Sequence, residues 1–349
     1  MTEQLYRFCI LLLLLAASGC DEPKDPVFHD QFFAFGTLID VSLYGVEPQF
    51  AESISKEIEQ DFMDMHASWH AWQPSVLSSL NEQLSAPEPT AIEPSILPLL
   101  KEAGRLSQSS SGLFNPVIGK LIALWGFHDN ALPVGTLPDS TAIKELLEQA
   151  PAVTDITIGD TLISSVNPSV AYDFGGFAKG YAIDRAIDHL RKSNIQNAII
   201  NAGGDLRAIG QHGDRPWRIG IRHPRENTIL ASIEVSGDAS VFTSGDYERF
   251  FEVDGKRYHH IIDPRTGYPA SSITSVTVIH SDAATADAAA TALFVAGPDQ
   301  WLSTARNMGI RYVMLIDKQG TIHINPAMQS RIHFEPGLDA QISLSAPLQ

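Results

Sequence analysis

Hydrophobic and polar residues are spaced in two different ways along this chain. Residues 49–66 carry apolar side chains at helical spacing, which predicts an amphipathic helix. Residues 32–45 alternate between apolar and polar positions, which predicts a strand. From residue 153 onward, short apolar segments bounded by glycine and polar residues predict mostly β-structure, which helices over 177–192 and 283–296 interrupt.

The order of the predicted elements is mixed and does not follow a repeating strand–helix–strand pattern. We therefore expect an α+β fold with mixed, largely antiparallel sheets packed against helices. Residues 73–98 are rich in proline and serine and predict loops with short helical turns, and residues 128–140 predict a loop whose Ser140 caps the next helix. Further helices are expected near 96–110, 116–126, 141–149 and 298–308, hairpins at 153–166, 197–210 and 311–325, and strands near 216–222, 229–235, 247–253, 257–262 and 273–281.

Length and composition are those of a folded protein with two ordinary domains or one large one. The chain has 349 residues, of which 44% are hydrophobic and 19% charged, as in a globular protein and unlike a disordered one. Its 24 basic residues stand against 41 acidic ones, which gives a formal charge of -17. A surface this acidic repels phosphate backbones, so we expect no nucleic-acid partner.

The N-terminal residues resemble a bacterial lipoprotein signal. The apolar run 8–17 is too short for a membrane span of roughly 20 residues and fits the core of a secretory signal. It ends in Ala-Ser-Gly-Cys at 17–20, which resembles a lipobox, so cleavage would remove residues 1–19 and leave Cys20 lipidated. An uncleaved signal anchor is the alternative. Asp21 resembles a signal for retention in the bacterial inner membrane, which predicts a lipid-anchored protein on its periplasmic face.

This signal also predicts how the chain is divided. Residues 20–30 are expected to tether the lipid to a folded domain over 31–328, and residues 329–349 to form a C-terminal tail. Both cysteines lie within the first twenty residues, so the cleaved chain would keep no free thiol. Thiol catalysis and cysteine-based metal sites are therefore excluded.

Two adjacent glycines open the helix predicted over 177–192. The sequence Asp-Phe-Gly-Gly-Phe-Ala-Lys-Gly at 173–180 lets backbone approach a ligand closely, and free N–H groups in the first helical turn can receive a phosphate. Lys179 adds a positive charge there. The spacing matches neither a dinucleotide fingerprint nor a P-loop, so a tight strand-to-helix connection is an equal alternative. The glycine-containing segments 201–205 and 243–247 are interpreted as structural turns.

Asp287 and Thr291 are one helical turn apart within the helix predicted over 283–296. They therefore share one face, and a carboxylate and a hydroxyl are hard oxygen ligands of the kind that Mg²⁺ prefers. Alternatively, this alanine-rich segment is a packing helix with acidic residues near its N-terminus, where the helix dipole favours them.

A histidine pair precedes a proline- and glycine-containing turn at 259–267. A neutral histidine can take up a proton near pH 7, so His260 is a candidate general base. His66 and His70 form a second pair, but the chain has no HExxH motif and no available cysteine, which argues against zinc. The absence of a GxSxG motif argues against a serine hydrolase.

Six glycine-rich and aromatic segments follow one another between Phe35 and Met328. They are FGT at 35–37, LFNPVIGKLIALWGF at 113–127, DFGGFAKGYAID at 173–184, NAGGDLRAIG at 201–210, TSGDYERFFEVDGKRYHHIIDPRTGYP at 243–269 and SVTVIHSDAATADAAATALFVAG at 275–297. In this order and spacing they resemble the ApbE family of FAD:protein FMN transferases. Any one segment is weak evidence for this family, but six of them in this order are highly specific to it.

The resemblance implies an ApbE-like fold with a FAD and Mg²⁺ site between sub-domains. It implies an enzyme that transfers the FMN moiety of FAD to a threonine hydroxyl of an acceptor protein and releases AMP; the expected acceptors are redox-pump subunits that face the periplasm. The implied metal ligands are Asp287, Thr291 and the main-chain carbonyl of Gly176. The implied catalytic residues are Asp287 and His260, the latter as base or phosphate contact. The implied FAD contacts are Phe35, Trp72, Leu113, Phe114, Asn115, Asp173, Lys179, His260, Ile261 and Ile262.

Two positions depart from the family pattern. Asn115 stands where aspartate is frequent and still has an oxygen that accepts hydrogen bonds, and Trp72 replaces tyrosine while keeping a stacking surface. The family's acceptor pattern, Asp-x-x-Ser/Thr-Gly/Ala-Thr, does not occur in this chain, which indicates a modifier of other proteins.

Two alternative functions stay open. The first is a Mg²⁺-dependent FAD pyrophosphatase that gives FMN and AMP, since the same site would serve water as nucleophile. The second is a non-catalytic periplasmic lipoprotein that binds flavin. The intact Asp287 and Thr291 pair argues against the second, because simple storage does not require a metal at the diphosphate.

Overall fold

The computed structural model describes residues 27–128, 132–133 and 135–348. The expected signal over 1–19 and the expected lipidation site Cys20 lie outside these residues. The helices are α1 (Pro48–Ser68), α2 (Val76–Leu84), α3 (Leu97–Ser109), α4 (Gly119–Leu124), α5 (Ser140–Gln149), α6 (Ala178–Lys192), α7 (Ala283–Asn307) and α8 (Pro326–Gln329), with a 3₁₀ turn at Val153–Asp155. The strands are β1 (Val27–Ala34), β2 (Thr37–Tyr44), β3 (Thr90–Ala91), β4 (Ile156–Ile158), β5 (Leu162–Ser165), β6 (Ala198–Ala202), β7 (Asp205–Gly210), β8 (Trp217–Arg222), β9 (Ile229–Val235), β10 (Gly237–Gly245), β11 (Phe250–Val253), β12 (Lys256–His259), β13 (Ile273–His280), β14 (Tyr312–Asp317), β15 (Ile322–Ile324), β16 (Ile332–Phe334) and β17 (Ile342–Leu344).

A sheet of nine strands forms the centre of the described chain. Its order is β1-β2-β6-β7-β10-β13-β14-β15-β17, and neighbouring strands are antiparallel except β15 and β17, which run parallel. Three smaller antiparallel groups accompany it, β16-β9-β8, β3-β5-β4 and β11-β12. The expected α+β fold with largely antiparallel sheets is confirmed.

The two faces of the central sheet pack against different partners. Val276 and Val278 of β13 lie in the largest hydrophobic core, together with helices α1, α6 and α7. Ile279 of β13 and Val241 of β10 lie in a second core with β8 and β9. Because both faces are covered, every residue of β13 from Ile273 to Ile279 is buried.

Helices α6 and α7 lie in close contact at Gly180. A Cβ at Gly180 would lie 2.3 Å from the carbonyl oxygen of Ala283, so no larger residue fits without separating the helices. Asp184 of α6 also accepts hydrogen bonds of 2.9 Å from the N–H groups of Ala283 and Ala284. The first turn of α7 is therefore fixed against α6, and this fixes the direction in which Asp287 projects one turn later.

Residues 32–45 form a hairpin and not the single strand that their alternation predicts. Strands β1 and β2 turn at Phe35 and Gly36, whose φ angles are 50° and 75°. Positive φ at both central residues is typical of the tight hairpin turn that matches strand twist. Strand β1 begins at Val27, so residues 27–30, which were expected in the tether, pair with β2 in the central sheet.

The C-terminal residues also contribute to the sheets. The expected tail over 329–349 contains β16, which pairs with β9, and β17, which pairs with β15 at the edge of the central sheet. No helix within the described ranges is long and apolar enough to cross a membrane.

Three local expectations differ from the structure. Strand β10 extends to Gly245, so it includes the first three residues of the segment 243–247, where we expected only a turn. The proline- and serine-rich segment predicted loops with short helical turns, but it contains the nine-residue helix α2, which Ser75 caps. Asp139, and not Ser140, caps α5 by accepting a 3.1 Å hydrogen bond from the N–H of Thr141.

Candidate functional site

Residues from separate segments meet where α6 begins beside α7. A Cβ at Gly176 would lie 3.3 Å from the Oγ1 atom of Thr291 and 3.3 Å from the ring of Phe114, so the glycine turn closely approaches both. Asp287 lies one turn before Thr291 on α7, and its Oδ2 atom accepts a 3.0 Å hydrogen bond from the N–H of Gly180. We call the group the α6–α7 cluster; its members are Gly176, Lys179, Asp205, Asp287 and Thr291.

Lys179 forms an ion pair with Asp205, which follows the glycine turn between β6 and β7. The other carboxylate oxygen of Asp205 accepts a 2.9 Å hydrogen bond from the N–H of Thr243 on β10. Burial disfavours the charged lysine, but the attraction to Asp205 and Asp287 outweighs it and raises the pKa of Lys179. The ammonium group is therefore charged at neutral pH.

Asp287 is a buried carboxylate that lacks full charge compensation. Burial raises its pKa to about 7, and the nearby charge of Asp205 adds to the effect, while Lys179 and the N–H of Gly180 oppose it. A cation beside this carboxylate would favour its ionised form.

Three main-chain N–H groups at and just before the beginning of α6 donate to acceptors of the protein itself. The N–H of Gly175 donates to Asp173 at 2.8 Å, the N–H of Ala178 donates to the carbonyl of Phe174 at 2.8 Å, and the N–H of Gly180 donates to Asp287. These three donors have partners within the protein. The positive end of this helix dipole therefore stabilises the Asp287 carboxylate, and the charge of the nearby Lys179 ammonium group does the same.

The donor set of the cluster fits a small hard cation. Asp287 supplies a carboxylate and Thr291 a hydroxyl, and Gly176, whose backbone closely approaches that hydroxyl, supplies a main-chain carbonyl. Within the described residues no three His, Cys, Asp or Glu side chains come together as a metal cage. A set with one carboxylate leaves positions for substrate phosphates and water, which is the usual way in which proteins bind Mg²⁺.

A row of aromatic and histidine rings runs from the β1–β2 turn to His128. Phe35, at the tip of the β1–β2 turn, contacts His66 with ring centroids 5.5 Å apart, and His66 contacts His70 at 5.6 Å. His70 contacts Trp72 at 4.3 Å, and Trp72 stacks on His128 at 4.9 Å with 19° between the planes. We call these five residues the ring row. Trp72 is 38% exposed, so part of its indole is accessible to a planar ligand.

Asp173 connects the ring row to the glycine motif. Its Oδ2 atom pairs with Nε2 of His128 at 2.8 Å, and its Oδ1 atom accepts the N–H of Gly175. Burial would raise the pKa of Asp173, but the hydrogen bonds from His128 and Gly175 and the charge of Arg249 lower it below its usual value. Asp173 is therefore an ionised carboxylate at neutral pH.

His260 lies beside the same part of the site. Its Nδ1 atom and its main-chain N–H both donate to the carbonyl of Arg249, at 3.2 and 3.1 Å. Because a carbonyl can only accept, the proton is on Nδ1 and the lone pair is on Nε2. Burial, followed by the neighbouring His259, lowers the pKa of His260 to about 3, so the imidazole is neutral at pH 7.

The remaining expected FAD contacts have clear roles in the fold. Asn115 donates to the carbonyl of Pro151 at 2.9 Å and accepts from Val117 at 3.1 Å, and an aspartate could not make the first bond. Ile261 and Ile262 are each 5% exposed and fill two different cores, and Leu113 packs against the largest core. Any flavin contact of the two isoleucines would therefore involve main-chain atoms.

The structure thus brings the expected residues into two neighbouring groups. Gly176, Lys179, Asp287, Thr291 and Phe114 lie at the α6–α7 end, and Phe35, Trp72 and Asp173 lie at the ring end, with His260 beside them. The sequence interpretation missed Asp205, which it assigned to a structural turn, and His128, which it assigned to a loop. An aspartate directly after paired glycines was a usable signal for Asp205, whereas the partners of His128 are distant in sequence.

The comparisons with known proteins agree on one family. The sequence model of the ApbE family matches residues 35–314. The chain is 39% identical to an FAD:protein FMN transferase of Rhodobacter capsulatus over 91% of this chain but only 61% of that protein, less than two thirds of its length. It is 34% identical to an FAD:protein FMN transferase of Vibrio cholerae serotype O1 over 88% of this chain and 92% of that protein. A crystal structure of the ApbE protein of Thermotoga maritima matches with a TM-score of 0.78 and 34% identity, covering 87% of this chain and 99% of that one.

Proposed function

Because the chain belongs to the ApbE family, we propose that it transfers the FMN moiety of FAD to a threonine hydroxyl of an acceptor protein and releases AMP. The observation that carries this proposal is the α6–α7 cluster, in which a charged lysine, a buried carboxylate and a hydroxyl converge beside a glycine turn. The adjacent ring row offers a surface for the flavin. A dinucleotide with a diphosphate between two ring systems matches this arrangement.

The proposed reaction breaks the phosphoanhydride bond of FAD and forms a phosphoester bond to the acceptor. The acceptor hydroxyl oxygen forms a bond to the phosphorus on the FMN side, and the bond from that phosphorus to the bridging oxygen breaks. The hydroxyl proton is released, and AMP leaves with the bridging oxygen and its electron pair. No group is oxidised or reduced, so catalysis rests on positioning and on stabilising negative charge.

Lys179 is the fixed positive charge of this site. Asp205 accepts a hydrogen bond from the N–H of Thr243, and its ion pair with Lys179 holds the ammonium group near the N-terminus of α6. There it would bind a phosphoryl oxygen and stabilise the charge that grows on it in the transition state.

We propose that Asp287, Thr291 and the carbonyl of Gly176 hold Mg²⁺. The hard oxygen donors and the raised pKa of the Asp287 carboxyl support this assignment. When bound, Mg²⁺ supplies Lewis-acid stabilisation of the phosphate oxygens. In its absence the buried carboxylate of Asp287 would repel the diphosphate, so binding of FAD and of the cation should be coupled.

His260 is proposed to contact the attacking hydroxyl. Its Nε2 lone pair can accept the hydroxyl hydrogen bond, because Nδ1 donates to the carbonyl of Arg249. The low pKa makes it a weak base, so its main contribution would be to orient the hydroxyl. A neutral imidazole gives little electrostatic attraction to phosphate.

We also propose that lipid on Cys20 anchors the protein to the periplasmic face of the inner membrane, where subunits of membrane redox pumps would be its acceptors. The support is the lipobox-like sequence before Cys20, which lies outside the described residues.

Intact-mass spectrometry of an acceptor tests the proposed function. The full-length protein is incubated with FAD, Mg²⁺ and a small acceptor domain that carries the threonine motif, with EDTA as one control. A matched acceptor with valine in place of the threonine is the second control. We expect a mass gain of one FMN on the threonine acceptor alone, with one AMP released per FMN attached and no gain in EDTA.

The same assay separates the alternatives. Free FMN and AMP with an unmodified acceptor would contradict the transferase and identify the protein as a FAD pyrophosphatase. Intact FAD under every condition, with flavin bound to the protein, would replace it by a flavin-binding lipoprotein.

A further inference from the structure

We propose that His128 is a positioning residue that holds the Trp72 indole in place for the flavin ring. This inference rests on the proposed function, because it takes FAD as the ligand. It goes beyond the expected contacts, among which Trp72 and Asp173 appear but His128 does not.

His128 makes two directional contacts at once. Its ring lies 4.9 Å from the ring of Trp72 with 19° between the planes, and its Nε2 atom lies 2.8 Å from Oδ2 of Asp173. The side chain of His128 is 16% exposed and that of Asp173 is 9% exposed. The imidazole therefore links an indole at the surface to a buried carboxylate.

Asp173 is itself fixed, so the link is rigid. Its Oδ1 atom accepts the N–H of Gly175 at 2.8 Å, which leaves Oδ2 directed at the imidazole. A ring held by a fixed charged acceptor cannot turn about its side-chain bonds without breaking that hydrogen bond. His128 thus connects Trp72 to the ordered glycine motif and restricts the orientation of its indole ring.

Trp72 needs such a support because it follows the end of helix α1 in a loop. His70 contacts its ring at 4.3 Å and 70°, and the N–H of Gln73 donates to Nδ1 of His70 at 3.1 Å. These contacts restrain the edge of the indole, and the stack on His128 fixes its plane. When the orientation of the indole is already fixed, stacking of a planar ligand on it costs less side-chain conformational entropy.

The size of the effect follows from the strength of a ring pair. An aromatic stack is worth about 0.5–1.5 kcal/mol, which corresponds to a change in affinity of about 2- to 12-fold. We expect His128→Ala to weaken FAD binding within this range. The loss should be found in KM for FAD, while kcat at saturating FAD falls less than about twofold, because the stack acts on binding and not on the phosphorus.

A double-mutant cycle tests whether His128 acts through Trp72. FAD binding to the full-length protein is measured by equilibrium dialysis without acceptor for the wild type, His128→Ala, Trp72→Ala and the double variant. If His128 acts through the indole, its removal should change FAD affinity far less in the Trp72→Ala background than in the wild type. Thermal unfolding of each variant without FAD verifies that it folds.

His128→Phe separates the stack from the hydrogen bond. Phenylalanine keeps a ring beside Trp72 but cannot donate to Asp173, so we expect FAD affinity below that of the wild type, because the ring is no longer held. Wild-type FAD affinity in His128→Phe would overturn the role of the hydrogen bond, and additive effects in the cycle would overturn the positioning role.

The outcome also separates this inference from the proposed function. A wild type that binds FAD while His128→Ala binds it equally well would refute the inference alone. A wild type that does not bind FAD with or without Mg²⁺ would refute both.

Discussion

In the proposed reaction Lys179 would bind a phosphate, and this requires a partner that keeps its ammonium group in position. Asp205 does this with one carboxylate oxygen, and its second oxygen accepts the N–H of Thr243 on β10. The pair is neutral overall, and the carboxylate is 8% exposed against 29% for the lysine side chain. The buried carboxylate of Asp205 therefore holds the more exposed ammonium group of Lys179 in place. A positive charge fixed in this way stabilises a negative charge that grows beside it.

Removing the charge of Asp205 should release Lys179. Asp205→Asn keeps an oxygen for the N–H of Thr243 but loses the ion pair, so Lys179 would turn toward Asp287 and compete with the proposed cation there. We expect the rate of FMN transfer to fall about tenfold or more, equivalent to about 1.4 kcal/mol of transition-state stabilisation. Steady-state kinetics with varied Mg²⁺ would measure it.

Asp188→Asn provides the matched control for this prediction. Asp188 lies on α6 like Lys179, but its side chain is 62% exposed and forms a loose ion pair with Arg191 at 3.8 Å. We expect wild-type kinetics from this variant. A rate for Asp205→Asn within twofold of the wild type would contradict the proposed role of the ion pair.

His259 should make the stability of the fold depend on pH. The residue is 2% exposed, its Nε2 donates to the carbonyl of Ala270 at 2.7 Å, and burial lowers its pKa to about 4. Asp246 opposes this lowering, whereas Lys318 and Arg257 add to it. The unfolded chain binds a proton near pH 6.5 and the folded chain only near pH 4, so the free energy of unfolding falls as pH drops through this window.

The expected slope is up to about 1.4 kcal/mol per pH unit between about pH 6.5 and about pH 4. His259→Gln keeps an N–H donor for Ala270 and does not titrate, so its urea unfolding free energy should depend less on pH by up to this amount. Parallel pH profiles for the two proteins would show that His259 is not the group responsible.

Helices α6 and α7 form the element that carries the site, and Gly180 is the point where they touch. The absent side chain lets the backbone of Ala283 approach and lets the N–H of Gly180 reach Asp287. Packing and chemistry therefore depend on the same glycine. A residue with a side chain here would move the carboxylate as well as open the helix contact.

Gly180→Ala should lower both stability and activity. Its Cβ would lie 2.3 Å from the carbonyl oxygen of Ala283, and we expect a loss of about 1–3 kcal/mol in the free energy of unfolding because the helices must separate. Gly104→Ala in α3 is the control, since its Cβ would meet nothing within 4 Å. It should stabilise the protein by about 0.5–1 kcal/mol, as glycine is a poor helix former. Equal stability of Gly180→Ala and the wild type in urea unfolding would refute the packing argument.

Long periodic segments are the elements that sequence predicts well, and α1 agrees with its expected range to within two residues. The β1–β2 hairpin was not predicted, because apolar and polar residues continue to alternate across its two-residue turn. The pattern therefore predicts one strand where the structure has two. Strand β10 escaped for another reason. It is flanked by β7 and β13 and is buried on successive positions from Ala239 to Phe242, so no alternation marks it.

At the scale of the whole molecule, the central sheet brings distant segments together. The turn before β7 supplies Asp205, the end of β10 supplies Thr243, and the helices packed on the sheet supply Lys179 and Asp287. Residue spacing within one helix was sufficient to predict Asp287 and Thr291 as a pair. Pairing of β7 with β10 depends on tertiary structure, so the link from Lys179 to Thr243 could not be derived from local pattern.

The initial rate of FMN attachment in an Asp287→Ala variant shows whether the α6–α7 cluster is the site of transfer. Asp299→Ala, an exposed position beyond the break that Gly297 makes in α7, is the matched control, and unfolding curves verify that both variants fold. We expect Asp287→Ala to lose at least about a thousandfold in transfer rate at any Mg²⁺ concentration, equivalent to about 4 kcal/mol, while Asp299→Ala keeps the wild-type rate. A folded Asp287→Ala variant that transfers FMN within tenfold of the wild-type rate would contradict the assignment of the α6–α7 cluster as the site of transfer.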